Sequence, residues 1–292
     1  MTHWEDIAAQ IAAARGRRFV PRAPRQVGGG CINRAMVLTD GTEHVFVKLN
    51  SAERLDMFEA EAAGLAEMAD SGTIRVPQPL CTGTAGPEAF IAMEYIELGS
   101  ARGDAAAAGR QLAAMHRTRA PRFGWYRDNT IGSTPQSNRQ QDDWVAFWRS
   151  ERLGLQLDLA TRNGFGGRLR SRGERLLAAF PVLVDHAPEP SLLHGDLWGG
   201  NLGFAQAGQP VIFDPAVYYG DRETDLAMTE LFGGFGPVFH AAYNEVWPID
   251  AGYSTRRTLY NLYHILNHVN LFGSGYVRQA ETMIDRLLAE TG

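Results

Sequence analysis

A carboxylate, an amide five residues later and a second carboxylate closing the next apolar run constrain this chain more than any other feature. Asp196 and Asn201 stand in Leu193-His194-Gly195-Asp196-Leu197-Trp198-Gly199-Gly200-Asn201, and Asp214 ends Val211-Ile212-Phe213-Asp214. The stretch from Ser191 to Phe213 reads as two short apolar strands around a polar loop, set among segments with helical periodicity. A lone aspartate in such a loop is most simply a turn residue. The combination has a chemistry: phosphoryl transfer needs an acceptor for the proton of an attacking hydroxyl and oxygen ligands for the Mg²⁺ that bridges phosphate oxygens. Asp196 fits the proton acceptor, and Asn201 with Asp214 fits the metal ligands, at the spacing of a kinase catalytic loop.

The rest of the chain falls into two compositional parts. Trp4, Ile7, Ala8, Ile11 and Ala12 share one face of a helix over Met1 to Gly16. Val37-Leu38 and Val45 to Leu49 then read as strands joined by a turn at Asp40-Gly41, and Ala52 to Ala69 as a helix. Phe90 to Met93 reads as a further buried strand. Beyond Leu98 most segments are helical: an Ala-rich stretch to His116, then Trp144–Thr161, Arg168–Phe180, Asp225–Phe232, Arg256–Phe272 and Arg278–Leu288. The expectation is an α+β fold with two lobes, a small β-rich one over residues 1–96 and a larger, mainly helical one over 97–292.

The first part carries the features of a nucleotide site. Gly28, Gly29 and Gly30 lie between candidate strands, where the lack of a Cβ lets backbone amides approach phosphate. Lys48 follows in an apolar strand and needs a partner. Glu61, four residues before Leu65, is the expected one, with Glu59 the alternative. Met93, Glu94, Tyr95 and Ile96 would form a hinge whose backbone groups pair with adenine. Asp225, eleven residues after Asp214, is expected either to hold the catalytic loop through its backbone N–H groups or to cap a helix.

Composition limits the alternatives. Of 292 residues, 28 are basic and 33 acidic, a net charge of −5, which argues against a nucleic-acid surface. No stretch approaches the roughly 20 apolar residues of a membrane span, and the N-terminus lacks the basic start of a signal peptide, so a cytoplasmic protein is expected. Two cysteines, Cys31 and Cys81, make no disulfide framework.

Longer tracts narrow the reading. Phe123 to Asn138, Trp144-Val145-Ala146-Phe147-Trp148 with Arg152-Leu153, Trp198 inside the loop, Phe213 to Gly220, Glu230 to Phe235 and Leu259 to Gly273 resemble the fructosamine kinase (ketosamine-3-kinase) family, within the aminoglycoside phosphotransferase branch of the kinase-like fold. Gly195 in place of arginine after the histidine, and Pro215-Ala216 after Asp214, agree with that branch. The resemblance implies ATP and Mg²⁺ as cofactors. It implies as acceptor the 3-hydroxyl of a small or protein-bound ketosamine, whose 3-phosphate is unstable and releases the amine. It makes Trp198, Asp128, Glu230 and His268 candidate substrate residues, His194 and Asp225 structural supports of the loop, and Cys31 a candidate redox switch. A kinase of another amino-alcohol or an aminoglycoside is the alternative among enzymes, and a nucleotide-binding regulatory protein the alternative outside them.

Overall fold

The computed structural model describes residues 3–28, 32–99 and 103–291. From the N-terminus, helix α1 (Trp4–Arg15) precedes β1 (Arg25–Gln26), β2 (Arg34–Thr39), β3 (His44–Ser51), α2 (Leu55–Asp70), β4 (Pro79–Ala85) and β5 (Glu88–Glu94). Then come α3 (Ala105–His116), β6 (Asn129–Ile131), β7 (Thr134–Gln136), α4 (Trp144–Phe147), α5 (Leu155–Arg162), α6 (Arg168–Leu183) and β8 (Ser191–Leu193). Strands β9 (Leu202–Phe204), β10 (Pro210–Ile212) and β11 (Tyr218–Gly220) lead to α7 (Glu223–Leu231), α8 (Pro237–Val246), α9 (Tyr253–Phe272) and α10 (Val277–Ala289). The chain forms two compact units: Met1–Asp104 with Gly203–Pro215, and Ala105–Leu202 with Ala216–Gly292.

The first unit is built on a five-stranded sheet in the order β1-β2-β3-β5-β4, with each neighbouring pair antiparallel. Side-chain alternation along β3 sets its two faces. Val45, Val47 and Leu49, with Phe90 and Ala92 of β5, form a core with Ile7, Ala8 and Ile11 of α1. Phe46, Lys48 and Asn50 therefore take the opposite face, with Lys48 beside Ile91 in the ladder. The turn between β2 and β3 is set by Asp40, whose carboxylate accepts from the N–H groups of Thr42 and Glu43, both at 2.9 Å, while Gly41 supplies a φ of 104°.

The second unit is mainly helical. Its centre is α9, buried at every position from Leu259 to Asn267, so it packs on all sides instead of along one stripe. Two features depart from the helical periodicity of the sequence. Trp144–Thr161 is not one regular helix: Trp148–Gly154 is π-helical, and it carries the buried Trp148, Glu151, Arg152 and Leu153. Helix α8 has no counterpart in the periodicity reading; it begins at Pro237, directly after Gly236, where a sequence reading sees only a turn. Among the described residues no helix is long and apolar enough to cross a membrane.

Candidate active site

In the first unit, Lys48 is the organising residue. Its ammonium donates to Glu61 Oε1 and to Asp214 Oδ1, both at 2.5 Å. Helix periodicity explains the choice of carboxylate. Glu61 follows Phe58 by three residues and precedes Leu65 by four, so it shares their buried face, whereas Glu59 is exposed. Burial alone would lower the Lys48 pKa, but the charges of Asp214 and Glu61 outweigh it and hold the ammonium well above its ordinary range. Burial pushes the Glu61 carboxyl up while Lys48 opposes it. Asp214 follows β10 with a φ of 59°, a left-handed conformation that is strained for a residue with a Cβ, and its side chain is 43% exposed.

Other candidates in this unit occupy defined places. Gly28 is exposed, and a Cβ there would have no described residue within 4 Å. Gly29, Gly30 and Cys31 lie outside the described residues. Met93 is buried on the Lys48 face of β5. Glu94 donates its backbone N–H to the Gln78 carbonyl and pairs its carboxylate with Arg75, so neither group is left for a ligand. Tyr95, its ring tilted against that of His44 at 5.4 Å, and Ile96 lie just past the strand end. Burial pushes the Cys81 thiol up to about 11, which makes it a poor nucleophile at neutral pH.

In the second unit, the loop from His194 to Asn201 is fixed from several sides. Both oxygens of the buried Asp225 accept backbone N–H groups, from His194 at 2.7 Å and from Gly195 at 2.9 Å. Helix α7 begins at Glu223, so Asp225 lies inside its first turn and not at the cap. His116, at the end of α3, donates Nε2–H to the same carboxylate (3.1 Å) and bonds through Nδ1 to the Tyr243 hydroxyl (2.8 Å). Burial raises the Asp225 carboxyl, but the histidines and backbone donors outweigh this and hold it below the usual range. His194 accepts the Asp196 N–H on Nδ1 (3.2 Å) and the Ala216 N–H on its carbonyl (2.8 Å). Gly195 has a φ of 81°, and a Cβ there would stand 2.1 Å from the Ala216 carbonyl oxygen. An arginine therefore does not fit this backbone.

Asn201, in the 3₁₀ turn after Trp198, donates Nδ2–H to the Asp196 carbonyl at 2.9 Å. That bond fixes which end of the amide is nitrogen and presents its oxygen on the other side, the atom a hard cation requires. Asp214, in the first unit, offers carboxylate oxygens, donors of the kind that hard cations take. Trp198 is 40% exposed, and Gly200 makes room for its ring: a Cβ there would meet the indole at 2.2 Å.

Of the remaining substrate candidates, His268 reaches the loop through the Phe232 ring, which meets both it and Trp198, while Asp128 and Glu230 bond elsewhere. Asp128 accepts the Asn138 N–H at 2.7 Å, a bond across the open end of the β6–β7 hairpin. Glu230 accepts from the Tyr253 hydroxyl at 2.7 Å and pairs with Arg257. His268 donates Nδ1–H to the His264 carbonyl at 2.8 Å, and its ring lies 4.9 Å from that of Phe232. The two histidines of α9 are thus linked through backbone and not as a ligand pair. Among the described residues one group has metal-ligand spacing, His186, Glu223 and Asp250, but Arg256 already binds both oxygens of Glu223.

Sequence reasoning missed a buried polar network. Arg152, fully buried, donates to the Ser137 carbonyl (2.5 Å) and to Asn138 Oδ1 (2.8 Å), and its guanidinium carbon lies 4.1 Å from the Tyr218 ring centre and 4.7 Å from that of Phe147. Among the described residues no carboxylate pairs with it. Asn138 donates to Asn129 Oδ1 (2.9 Å), Asn129 to the Val217 carbonyl (2.8 Å) and Gln136 to the Ala216 carbonyl (3.2 Å), while Tyr263 donates to Gln136 (2.6 Å). The network ends on the backbone that bonds His194. The only sequence signal was the density of Asn and Gln in an otherwise aromatic tract.

A charged lysine cluster on a small antiparallel sheet, and a helical unit whose aspartate loop is held through its backbone, belong to the kinase-like phosphotransferases. An aminoglycoside phosphotransferase crystal structure shares this fold, with a TM-score of 0.64 at 14% identity, covering 97% of this chain and 98% of its own. Within that class, the fructosamine kinase family model matches residues 3–290, and the chain belongs to this family. A Synechocystis sp. protein described as a probable ketoamine kinase is 47% identical over 98% of this chain and 97% of its own length. The chloroplastic protein-ribulosamine 3-kinase of Oryza sativa subsp. japonica is 44% identical over 97% and 84%. The crystal structure of a Haemophilus somnus 129PT protein, provisionally named a fructosamine-3-kinase, has a TM-score of 0.90 at 28% identity and covers 98% of each chain.

Proposed function

We propose that this chain is an ATP-dependent ketosamine 3-kinase: it transfers the γ-phosphoryl group of ATP to the 3-hydroxyl of a ketosamine, free or carried on a protein lysine. The observation that carries the reading is the Asp196–Asn201 loop, anchored by Asp225, in a chain that belongs to the fructosamine kinase family along nearly its whole length. In the reaction the acceptor oxygen bonds to the γ-phosphorus, the bond to the bridging oxygen of ADP breaks, and Asp196 takes the hydroxyl proton. In this reading Lys48, held by Glu61, supports the nucleotide phosphates, and the backbone of Met93 to Ile96 serves the base. Asn201 and Asp214 would hold Mg²⁺, which supplies charge neutralisation at the phosphate oxygens. Trp198, two residues past Asp196, gives the sugar an aromatic platform. ATP as donor suits a cytoplasmic setting. Phosphorylation at O3 destabilises the adduct and frees the amine, so the activity is deglycation.

The test is a panel of erythrulosyl-, ribulosyl-, psicosyl- and fructosyl-lysine with Mg-ATP, run beside an aminoglycoside and choline. The expected result is a 3-phosphate on at least one ketosamine and none on the other acceptors. Transfer to the aminoglycoside or choline alone overturns the reading, as does an Asp196→Ala variant as fast as wild type.

A further inference from the structure

A row of aromatic rings, exposed at Trp198, Phe232 and Phe272 and half-buried at His268 and Tyr276, leads away from the catalytic loop. Trp198 lies edge-to-face with Phe232 at 6.5 Å between ring centres; Phe232 meets His268 at 4.9 Å; and His268 meets Phe272 at 5.3 Å and Tyr276 at 5.0 Å. The sequence builds the row simply. His268 and Phe272 are four residues apart on the last turns of α9, so they share a face. Gly273, with a φ of 87°, then ends the helix, and the short 3₁₀ turn Ser274–Tyr276 brings Tyr276 back onto the His268 ring. Phe232 stands just past α7. These rings are not core: Phe232 is 40% and Phe272 55% exposed. A contiguous, partly exposed apolar row that starts on a catalytic loop marks a surface for something the enzyme handles.

Charge chemistry selects the occupant. A ketosamine is a polyol joined to a secondary amine that is protonated at neutral pH, followed by the carbon skeleton of that amine. With its 3-hydroxyl at Asp196 and its sugar on Trp198, the ammonium and skeleton continue outward. Aromatic faces attract an alkylammonium. The carboxylate of Glu230, next to this row in sequence, is already taken by Tyr253 and Arg257. Burial lowers the His268 pKa, and its Nδ1–H is committed to the His264 carbonyl, so its ring is a neutral face and not a competing cation. We propose that Phe232, His268, Phe272 and Tyr276 form an aglycone subsite, Phe232 and His268 receiving the protonated amine, Phe272 and Tyr276 the skeleton and the peptide flanking it. This rests on the ketosamine-kinase reading.

The experiment uses one sugar, ribulose, on three amines: methylamine, the side chain of free lysine, and the same side chain within a peptide that has phenylalanine next to the lysine. In wild type, kcat/KM is expected to rise along the series, mainly through KM. In Phe272→Ala and Tyr276→Ala the ratio of peptide to methylamine adduct is expected to fall about fivefold to tenfold. Phosphorylation of none of the three removes the ketosamine reading and the subsite with it. Equal kcat/KM on all three in wild type, or variant losses equal across the series, overturns the subsite alone. Melting temperatures check that each variant is folded, and if one is not, the wild-type series decides.

Discussion

The lysine cluster of the first unit and the aspartate loop of the second are both buried polar constructions, yet they are held in opposite ways. Lys48 balances two carboxylates with one cation, and each of the three charges depends on the others. The Asp196 loop is held through its backbone, by the two oxygens of Asp225 and by the Ala216 N–H, with neutral amides behind them. The first arrangement carries a surplus negative charge, which suits a place where a divalent cation and phosphate must be balanced. The second fixes the loop backbone on one buried carboxylate, Asp225, whose charge is met by two backbone N–H groups and by His116. In the proposed reaction the contrast separates tasks: the cluster would set potential, and the loop geometry.

The contrast can be broken at its strongest point first. Asp196→Ala is expected to lower kcat by about 10²- to 10⁴-fold with little change in melting temperature, because its side chain is not what holds the loop. Comparable losses of rate and stability would merge the two roles. Lys48→Met should cost about 3–5 kcal/mol in urea unfolding, since it leaves Glu61 buried without its cation. Adding Glu61→Gln should restore part of that, and a double variant no more stable than the single would show that the cluster is not held by charge. Asp225→Asn presents an NH₂ group to one of two backbone N–H donors. It should cost about 1–3 kcal/mol and lower kcat, with KM for ATP nearly unchanged. A rise in that KM as large as the kcat loss would move Asp225 out of the loop's support.

The smallest effect concerns pH. Burial, then the neighbouring His268, lowers the His264 pKa from 6.5 to about 3. Between these values the unfolded chain binds more protons than the native one, so stability falls as pH drops below 6.5, by up to about 1.4 kcal/mol per pH unit. The lowered carboxyl of Asp225 has the same sign: its contribution is present above the unfolded carboxylate pKa and is lost as pH falls through the folded value. Melting temperature measured from pH 7 to 5 should decline less steeply in His264→Asn than in wild type. Parallel slopes would remove His264 from the effect.

The lysine cluster was legible in the sequence because period and chemistry coincide there: Phe58, Glu61 and Leu65 share one helix face, and a lysine in an apolar strand needs a carboxylate. The spacing of Asp196, Asn201 and Asp214 was legible for the same reason, as a short local pattern. The support of the loop was not. His116 stands among alanines, Leu112 and Met115 at the end of α3, and nothing local points from there to Asp225, 109 residues on. Arg152 sits where the helix becomes π-helical, so regular periodicity places it on the wrong face. Asp128 and Glu230 carried no sign that their carboxylates would be taken by the Asn138 N–H and by Arg257. Long-range hydrogen bonds follow tertiary packing, which a single sequence does not spell out.

The caged Arg152 has a consequence for how this enzyme can change. Its network joins residues 129, 136 to 138, 152, 216 to 217 and 263, five stretches remote in sequence, through bonds that each need both partners. A substitution in any one leaves a polar group stranded in the interior, so these stretches can drift only together. In the aromatic row, Phe232 and Phe272 are exposed rings with no polar side-chain atom, so their replacement strands no polar group of their own. Acceptor preference in descendants of this chain is therefore expected to diverge along that row, while the asparagine-rich tract behind the loop stays fixed.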